Sequence, residues 1–242
     1  GQVGGVLARA GVGKSAFLVQ VAMTHALRST PVLHVSLTDG QARVRTFYDE
    51  LFTEVSRNLP ASDRAASQLV LERNRVIHAC LGRTFGPDDL TALMTTLADV
   101  MHFRPTMVLV DGTDVSQLSL KGWRKVATDT GVRLWLAVRI HRNDGPGVEE
   151  LAGLFDTAVS LEPTSTGIDL RILRSGGAPL DEGAPLQLDP VTLMVRPEDV
   201  QDPTTSPPSP HPSVCTLYSG GATGSEAAFG EAAEAAGIKE VS

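Results

Sequence analysis

The stretch Val3-Gly4-Gly5-Val6-Leu7-Ala8-Arg9-Ala10-Gly11-Val12-Gly13-Lys14-Ser15 decides how the rest of the chain is read. Residues 3–7 are short, apolar and glycine-rich, the pattern of a strand buried on both faces. Residues 14–28 carry Phe17, Leu18, Val21, Ala22 and Leu27 at helical spacing. A glycine turn between such a strand and helix gathers backbone N–H groups and the positive end of the helix dipole at one point, which attracts an anion. Gly11 and Gly13 let the backbone curl inward, Lys14 adds an ammonium, and Ser15 adds a hydroxyl beside it.

Composition sets the frame around this loop. With 242 residues, 42% of them hydrophobic and 20% charged, the chain has room for one large domain, or for one domain and part of another. The 21 basic residues against 28 acidic ones leave a net charge of −7, which argues against a chain-wide footprint for nucleic acid and leaves room only for a local basic patch. Only four of those 21 basic residues are lysine (Lys14, Lys121, Lys125 and Lys239), so the ammonium of Lys14 stands in a chain that otherwise prefers arginine. Cys80 and Cys215 are far apart in sequence and lack a CxxC or Cys/His neighbourhood. A disulfide framework or zinc site is therefore unsupported, and a cytoplasmic location is the expectation. No apolar run approaches the roughly 20 residues of a membrane span. The chain begins without Met and enters its first strand almost at once, which reads as a processed or excised piece of something longer.

Further along, strands and helices alternate. Residues 31–37 read as a second strand, and 41–58 as an amphipathic helix with Val44, Phe47, Tyr48, Leu51, Phe52 and Val55 on one stripe. A helix is expected to about residue 73, an ambiguous segment over 75–81, and a helix over 87–101 opened by Pro87. Residues 106–110 form a buried strand ending at Asp111. A helix over 118–130, a strand over 133–140 and a short helix over 148–154 follow, with strands over 158–161, 168–173 and 192–195. Near-continuous apolar strands separated by helices predict an α/β fold, a mostly parallel sheet covered by helices on both faces. From residue 200 prolines crowd with Ser and Thr, as in a semi-rigid linker. One βαβ pattern then occupies 214–242, too small to be stable alone. The division expected is 1–197 for the first domain, 198–213 for the linker, and 214–242 for the truncated start of another domain.

Residues 8–15 fit the Walker A spacing, with Ala8 in place of the first glycine. Ala10, Gly11, Val12, Gly13, Lys14 and Ser15 are the candidate nucleotide-binding residues. Lys14 would meet the β- and γ-phosphates of ATP, and Ser15 would ligate Mg²⁺. The partner carboxylate is Asp111, delivered by its apolar strand to the sheet edge where the loop opens and holding Mg²⁺ through water. Alternatively, it caps the turn at Gly112-Thr113.

The Asn-Lys-x-Asp motif of GTPases is absent, and Leu217-Tyr218-Ser219-Gly220-Gly221 falls too late to be the ABC-transporter signature. The order of elements resembles the RecA/KaiC/DnaB-helicase group. The strand leading to Thr38-Asp39-Gly40-Gln41, the late Asp111, the Phe155-Asp-Thr-Ala-Val-Ser-Leu-Glu162 strand and the Arg174-Ser-Gly-Gly177 turn carry the likeness over about residues 1–197. The resemblance implies a RecA-like P-loop NTPase fold, Mg²⁺-dependent ATP binding and hydrolysis, and a homo-oligomer or partner protein. It also implies a water-activating glutamate where this chain has Thr38. Asp39 is the candidate catalytic carboxylate in its place, with a turn-forming role as the alternative. The group's polar sensor position falls around Arg139 to His141, and Arg174 matches a basic residue that reaches a neighbouring subunit's nucleotide. Tyr218-Ser-Gly-Gly-Ala-Thr-Gly224-Ser-Glu226 resembles the opening of Rossmann-like nucleotide-binding proteins of the LOG/DprA type.

The leading expectation is thus an ATPase module with Lys14 and Asp39 catalytic, Ser15 and Asp111 on the metal. A non-catalytic nucleotide sensor or scaffold is the second, and phosphotransfer to a small molecule the third. Relatives in the group bind DNA, but the acidic balance and 11 aromatic residues lend nucleic-acid binding little support.

Overall fold

The first strand, β1 (Gln2–Ala8), occupies an inner position of the sheet, and this follows from its sequence. Val3, Val6 and Leu7 are at most 1% exposed, and the glycines between them let aromatic rings approach the backbone. A Cβ on Gly4 would sit 2.7 Å from the Trp135 ring, and one on Gly5 would sit 2.7 Å from the Phe155 ring. Gly5→Ala is therefore expected to cost about 1–3 kcal/mol through overpacking, measured as a lowered urea midpoint. An unchanged midpoint would show that the Phe155 ring yields freely.

The computed structural model describes residues 1–82, 84–114, 120–140, 147–165, 167–180, 185–189, 194, 216–218 and 239–241. After β1 come α1 (Lys14–Leu27), β2 (Val32–Ser36), α2 (Gln41–Val55), α3 (Ala61–Arg73) and β3 (Arg75–Ala79). The chain continues through α4 (Pro87–Met101), β4 (Met107–Asp114), α5 (Leu120–Thr130), β5 (Arg133–Arg139) and α6 (Val148–Ala152). It then enters β6 (Thr157–Pro163), β7 (Ile168–Ser175), β8 (Ala178–Pro179) and β9 (Leu186–Leu188). These nine strands form one sheet in the order β3-β2-β4-β5-β1-β6-β7-β8, with β9 also on β7. The pairs from β3 to β6 are parallel, and those involving β7 are antiparallel.

Each side of the sheet has its own core. Leu18, Val19, Ala22, Val44, Tyr48, Phe52 and Leu71 of α1, α2 and α3 pack on one side. Leu90, Leu97, Trp123, Val126 and Leu151 of α4, α5 and α6 pack on the other. The expected α/β sheet with helices on both faces is what forms. Pro87 opens α4, where the Asp89 carboxylate accepts the Gly86 N–H at 2.8 Å. The ambiguous segment after Arg73 becomes β3, an edge strand on β2. The strand expected over 192–195 lies outside the described residues apart from Met194.

One buried polar group conflicts with a purely apolar core. His34 of β2 is 1% exposed, and its Nδ1 shares a hydrogen bond with the Tyr48 hydroxyl at 3.0 Å. The Arg75 guanidinium lies 4.4 Å from the centre of the Tyr48 ring and pairs with Glu72 at 2.6 Å. Burial, with the Arg75 charge second, pulls the His34 pKa down to about 4. A solvated histidine titrates near 6.5, so the unfolded chain takes up this proton first as pH falls. Stability is therefore expected to drop between about pH 6.5 and 4, by up to about 3 kcal/mol from this residue. Urea titrations of wild type and His34→Gln across that window test it: equal slopes would rule the assignment out.

Contacts divide the chain into two units, Gly1–Val200 and Gln201–Ser242. In the second, β10 (Thr216–Tyr218) and β11 (Lys239–Val241) pair in parallel, Thr216 opposite Lys239. The expected glycine turn and helix between them lie outside the described residues.

Candidate functional site

Parallel strands all point their carboxyl ends to one edge of a sheet, and loops leaving that edge on opposite sides open a crevice there. Register identifies what this edge carries. Ala8 of β1 is level with Arg139 of β5, and Ser36 of β2 is level with Asp111 of β4. The glycine loop after β1, the loop after β2, Asp111 and Arg139 thus share one edge although they come from four strands.

The loop has the backbone its glycines were expected to permit. Gly11 and Gly13 adopt φ of +77° and +94°, the left-handed region that L side chains avoid. No atom lies within 4 Å of a Cβ built on Gly11, so the demand there is conformational rather than steric. Gly13 is the N-cap of α1, whose first residue is Lys14, and the Phe17 N–H closes on the Gly13 carbonyl at 2.9 Å. Ala10 and Gly11 are exposed, Val12 is buried as an anchor, and Gly13, Lys14 and Ser15 are half-buried. Lys14 Nζ donates to the carbonyls of Ala8 and Arg9 at 3.1 and 2.7 Å. Burial pulls its pKa below the usual lysine value; the Asp111 charge opposes this and the Arg139 charge adds to it.

Asp111 is 3% exposed. Burial raises its carboxyl above the usual range, while the Ser15 hydroxyl bond and the Lys14 charge pull it back, and the Asp39 charge raises it further. The electrostatics therefore bring Lys14, Ser15, Asp39 and Asp111 together. The sequence ended the strand at Asp111, but β4 runs on to Asp114 across a register shift between Asp111 and Thr113. Gly112 takes φ +96° at this irregularity, and the Thr113 hydroxyl bonds the Ala137 carbonyl at 2.7 Å to resume the ladder. Such a bulge re-aims a side chain beside a site.

The loop after β2 is tied to the same place. The Leu37 N–H donates to the Asp111 carbonyl at 2.9 Å, and the Asp39 N–H to Ser36 Oγ at 3.0 Å. The remaining residues expected at the site divide. Arg139 ends β5 within electrostatic reach of Lys14, whereas His141 lies outside the described residues. Arg174 bonds the Gly177 carbonyl of its own turn. What sequence reasoning missed is the Arg43 contact to Asp39 at 3.2 Å, which the i, i+4 spacing at the start of α2 signals.

Hard oxygen donors at Ser15 and Asp111, beside an open glycine cradle and an ammonium, suit a divalent cation carried by a phosphate. Among the described residues no group of three or more His, Cys, Asp or Glu is placed to hold a metal. A cation shared with phosphate oxygens needs none. A groove of about 640 Å³ lies between α1 and α2, with Ala16, Val19, Phe47 and Leu51 on its walls.

No family model matches the sequence, and no curated protein does. Among solved structures the chain is similar to one described as the ATPase domain of G40P, with a TM-score of 0.56 at 13% identity. The match covers 80% of this chain and 84% of that one. At that identity the likeness speaks for the fold alone, and the fold is α/β and RecA-like. No helix among the described residues is long and apolar enough to cross a membrane.

Proposed function

We propose that the chain is a Mg²⁺-dependent ATP-binding module that hydrolyses ATP slowly and couples nucleotide state to a partner or to its own assembly. One observation carries the reading: the loop over Ala10 to Ser15, with its positive-φ glycines and Lys14, opens beside the buried Asp111 that accepts the Ser15 hydroxyl. The loop N–H groups and Lys14 would hold the β- and γ-phosphates. Ser15 would ligate Mg²⁺ directly and Asp111 through water, and the bound ion would supply charge neutralisation at the phosphates. Arg139 is close enough to Lys14 to join that field.

Hydrolysis forms a bond from a water oxygen to the γ-phosphorus and breaks the one to the β,γ-bridging oxygen. Asp39 is the carboxylate available to orient that water and take its proton. Turnover of wild type, Lys14→Ala and Asp39→Asn tests the reading. Asp39→Asn is expected to lower kcat by roughly 100-fold or more, within the 10²–10⁴ range of general-base catalysis, with ATP affinity retained. A folded wild type that binds ATP without Mg²⁺-dependent turnover would instead be a nucleotide sensor or scaffold. The module is assigned to residues 1–197 and a cytoplasmic setting. Residues 214–242 are read, after the linker over 198–213, as the opening of a second nucleotide-binding domain of the LOG/DprA type.

A further inference from the structure

Asp39 is one carbon shorter than a glutamate and sits on a loop, so what holds its carboxylate matters more than its identity. Each of its oxygens has a partner. The Thr38 hydroxyl donates to Oδ2 at 3.3 Å, and Arg43 Nε stands 3.2 Å from Oδ1. The Arg43 guanidinium also lies 5.0 Å from the centre of the Phe47 ring, which packs against the core beneath α2. The exposed Thr38 has its methyl group facing the bulge of β4: a Cβ built on Gly112 would fall 2.6 Å from it. The carboxylate so held is near enough to Asp111 for its charge to be felt there.

We infer that Thr38 and Arg43 are positioning residues that together hold the Asp39 carboxylate on the loop that the Leu37 N–H ties to the Asp111 carbonyl. The inference rests on the proposed ATPase reading and adds to it: Thr38 serves as an anchor for the carboxylate next to it, and Arg43 as the arm that spans from α2. The side chain of Arg43 is 68% exposed. A surface ion pair of this kind contributes little to stability, so its loss should be felt in orientation.

The test uses the full chain and four proteins: wild type, Thr38→Val, Arg43→Ala and Arg43→Lys. Thr38→Val keeps the methyl packing on Gly112 and removes only the hydroxyl. Affinity for Mg·ATP is measured by titration with a fluorescent ATP analogue, kcat by phosphate release, and folding by thermal melting. Thr38→Val and Arg43→Ala are each expected to lower kcat about 10-fold or more, because small misplacements of a reacting group are costly in rate. Affinity and melting temperature should stay at wild-type values, and Arg43→Lys should recover part of the rate. Variants that bind and turn over like wild type overturn the inference and leave the ATPase reading standing. A wild type that binds without turnover overturns both the hydrolysis reading and this one, and a wild type without Mg·ATP affinity overturns the site itself.

Discussion

Lys14→Ala is expected to weaken Mg·ATP binding by roughly 10- to 100-fold, the loss of charge-assisted hydrogen bonds of about 1.5–3 kcal/mol. The ammonium donates to the Ala8 and Arg9 carbonyls of its own loop. It is held there at a cost, since burial already pulls its pKa down. Removing it should therefore leave the fold intact, and the melting temperature of the variant should match or slightly exceed that of wild type. Lys14→Arg should not restore binding, because a planar fork cannot replace a compact point charge in a loop of this size. Calorimetric titration of the three proteins decides the matter. Equal affinities for wild type and Lys14→Ala would mean that the glycine turn binds no phosphate.

Asp111→Asn is expected to move stability and function in opposite directions. The folded carboxyl has its pKa raised above the unfolded value of 3.8, chiefly by burial. The folded state therefore holds the proton longer, and stability declines as pH rises from 3.8 through the raised value. At neutral pH the buried charge is a standing penalty that asparagine lacks, while its side-chain oxygen can still accept the Ser15 hydroxyl. The nucleotide-free variant should melt higher than wild type at pH 7, with the gain shrinking toward acid pH. Its Mg²⁺-dependent share of ATP affinity should fall about 10- to 100-fold, as when an outer partner of a metal is lost. A variant that melts lower at pH 7, or keeps the full Mg²⁺ effect, would contradict this role.

Both predictions depend on residues that were visible in the chain itself. Lys14 follows a strand and opens a helix, and each of those elements has its own hydrophobic period. Asp111 ends an apolar run. Such signals are local, because a few consecutive side chains are enough to state which faces are buried. Asp39 was harder, since Asp-Gly serves equally as a turn and as chemistry. Its neighbours resolve what it can do: Thr38 and Arg43 take its two oxygens, and its charge reaches Asp111. Arg174 went the other way. Its place in the turn matched a subunit-reaching residue of the resembled group or a solvated surface residue, and within the chain its guanidinium bonds the Gly177 carbonyl.

The order of strands could not be read from the chain, because parallel neighbours are joined through long crossovers and pairing is chosen by packing. The strand β5 enters between β1 and β4, which puts Arg139 beside the phosphate loop. The continuation of β4 past Asp111 was also hidden, since it depends on Thr113 finding the Ala137 carbonyl on another strand. His34 reads in sequence as a residue of a strand. Only burial beneath Tyr48 and beside Arg75 makes it a group that resists protonation.

Sequence alone thus determined the glycine turn between strand and helix, the helical and strand periods, and the class of sheet, because backbone preference and hydrophobic spacing act between near neighbours. Tertiary structure decided which distant groups meet: Asp111 with Ser15, Asp39 with Arg43 and Thr38, and Arg139 with Lys14. Burial sets the pKa directions at Lys14 and Asp111 and the neighbouring groups modulate them, because charge and desolvation depend on distance in space and not on separation along the chain.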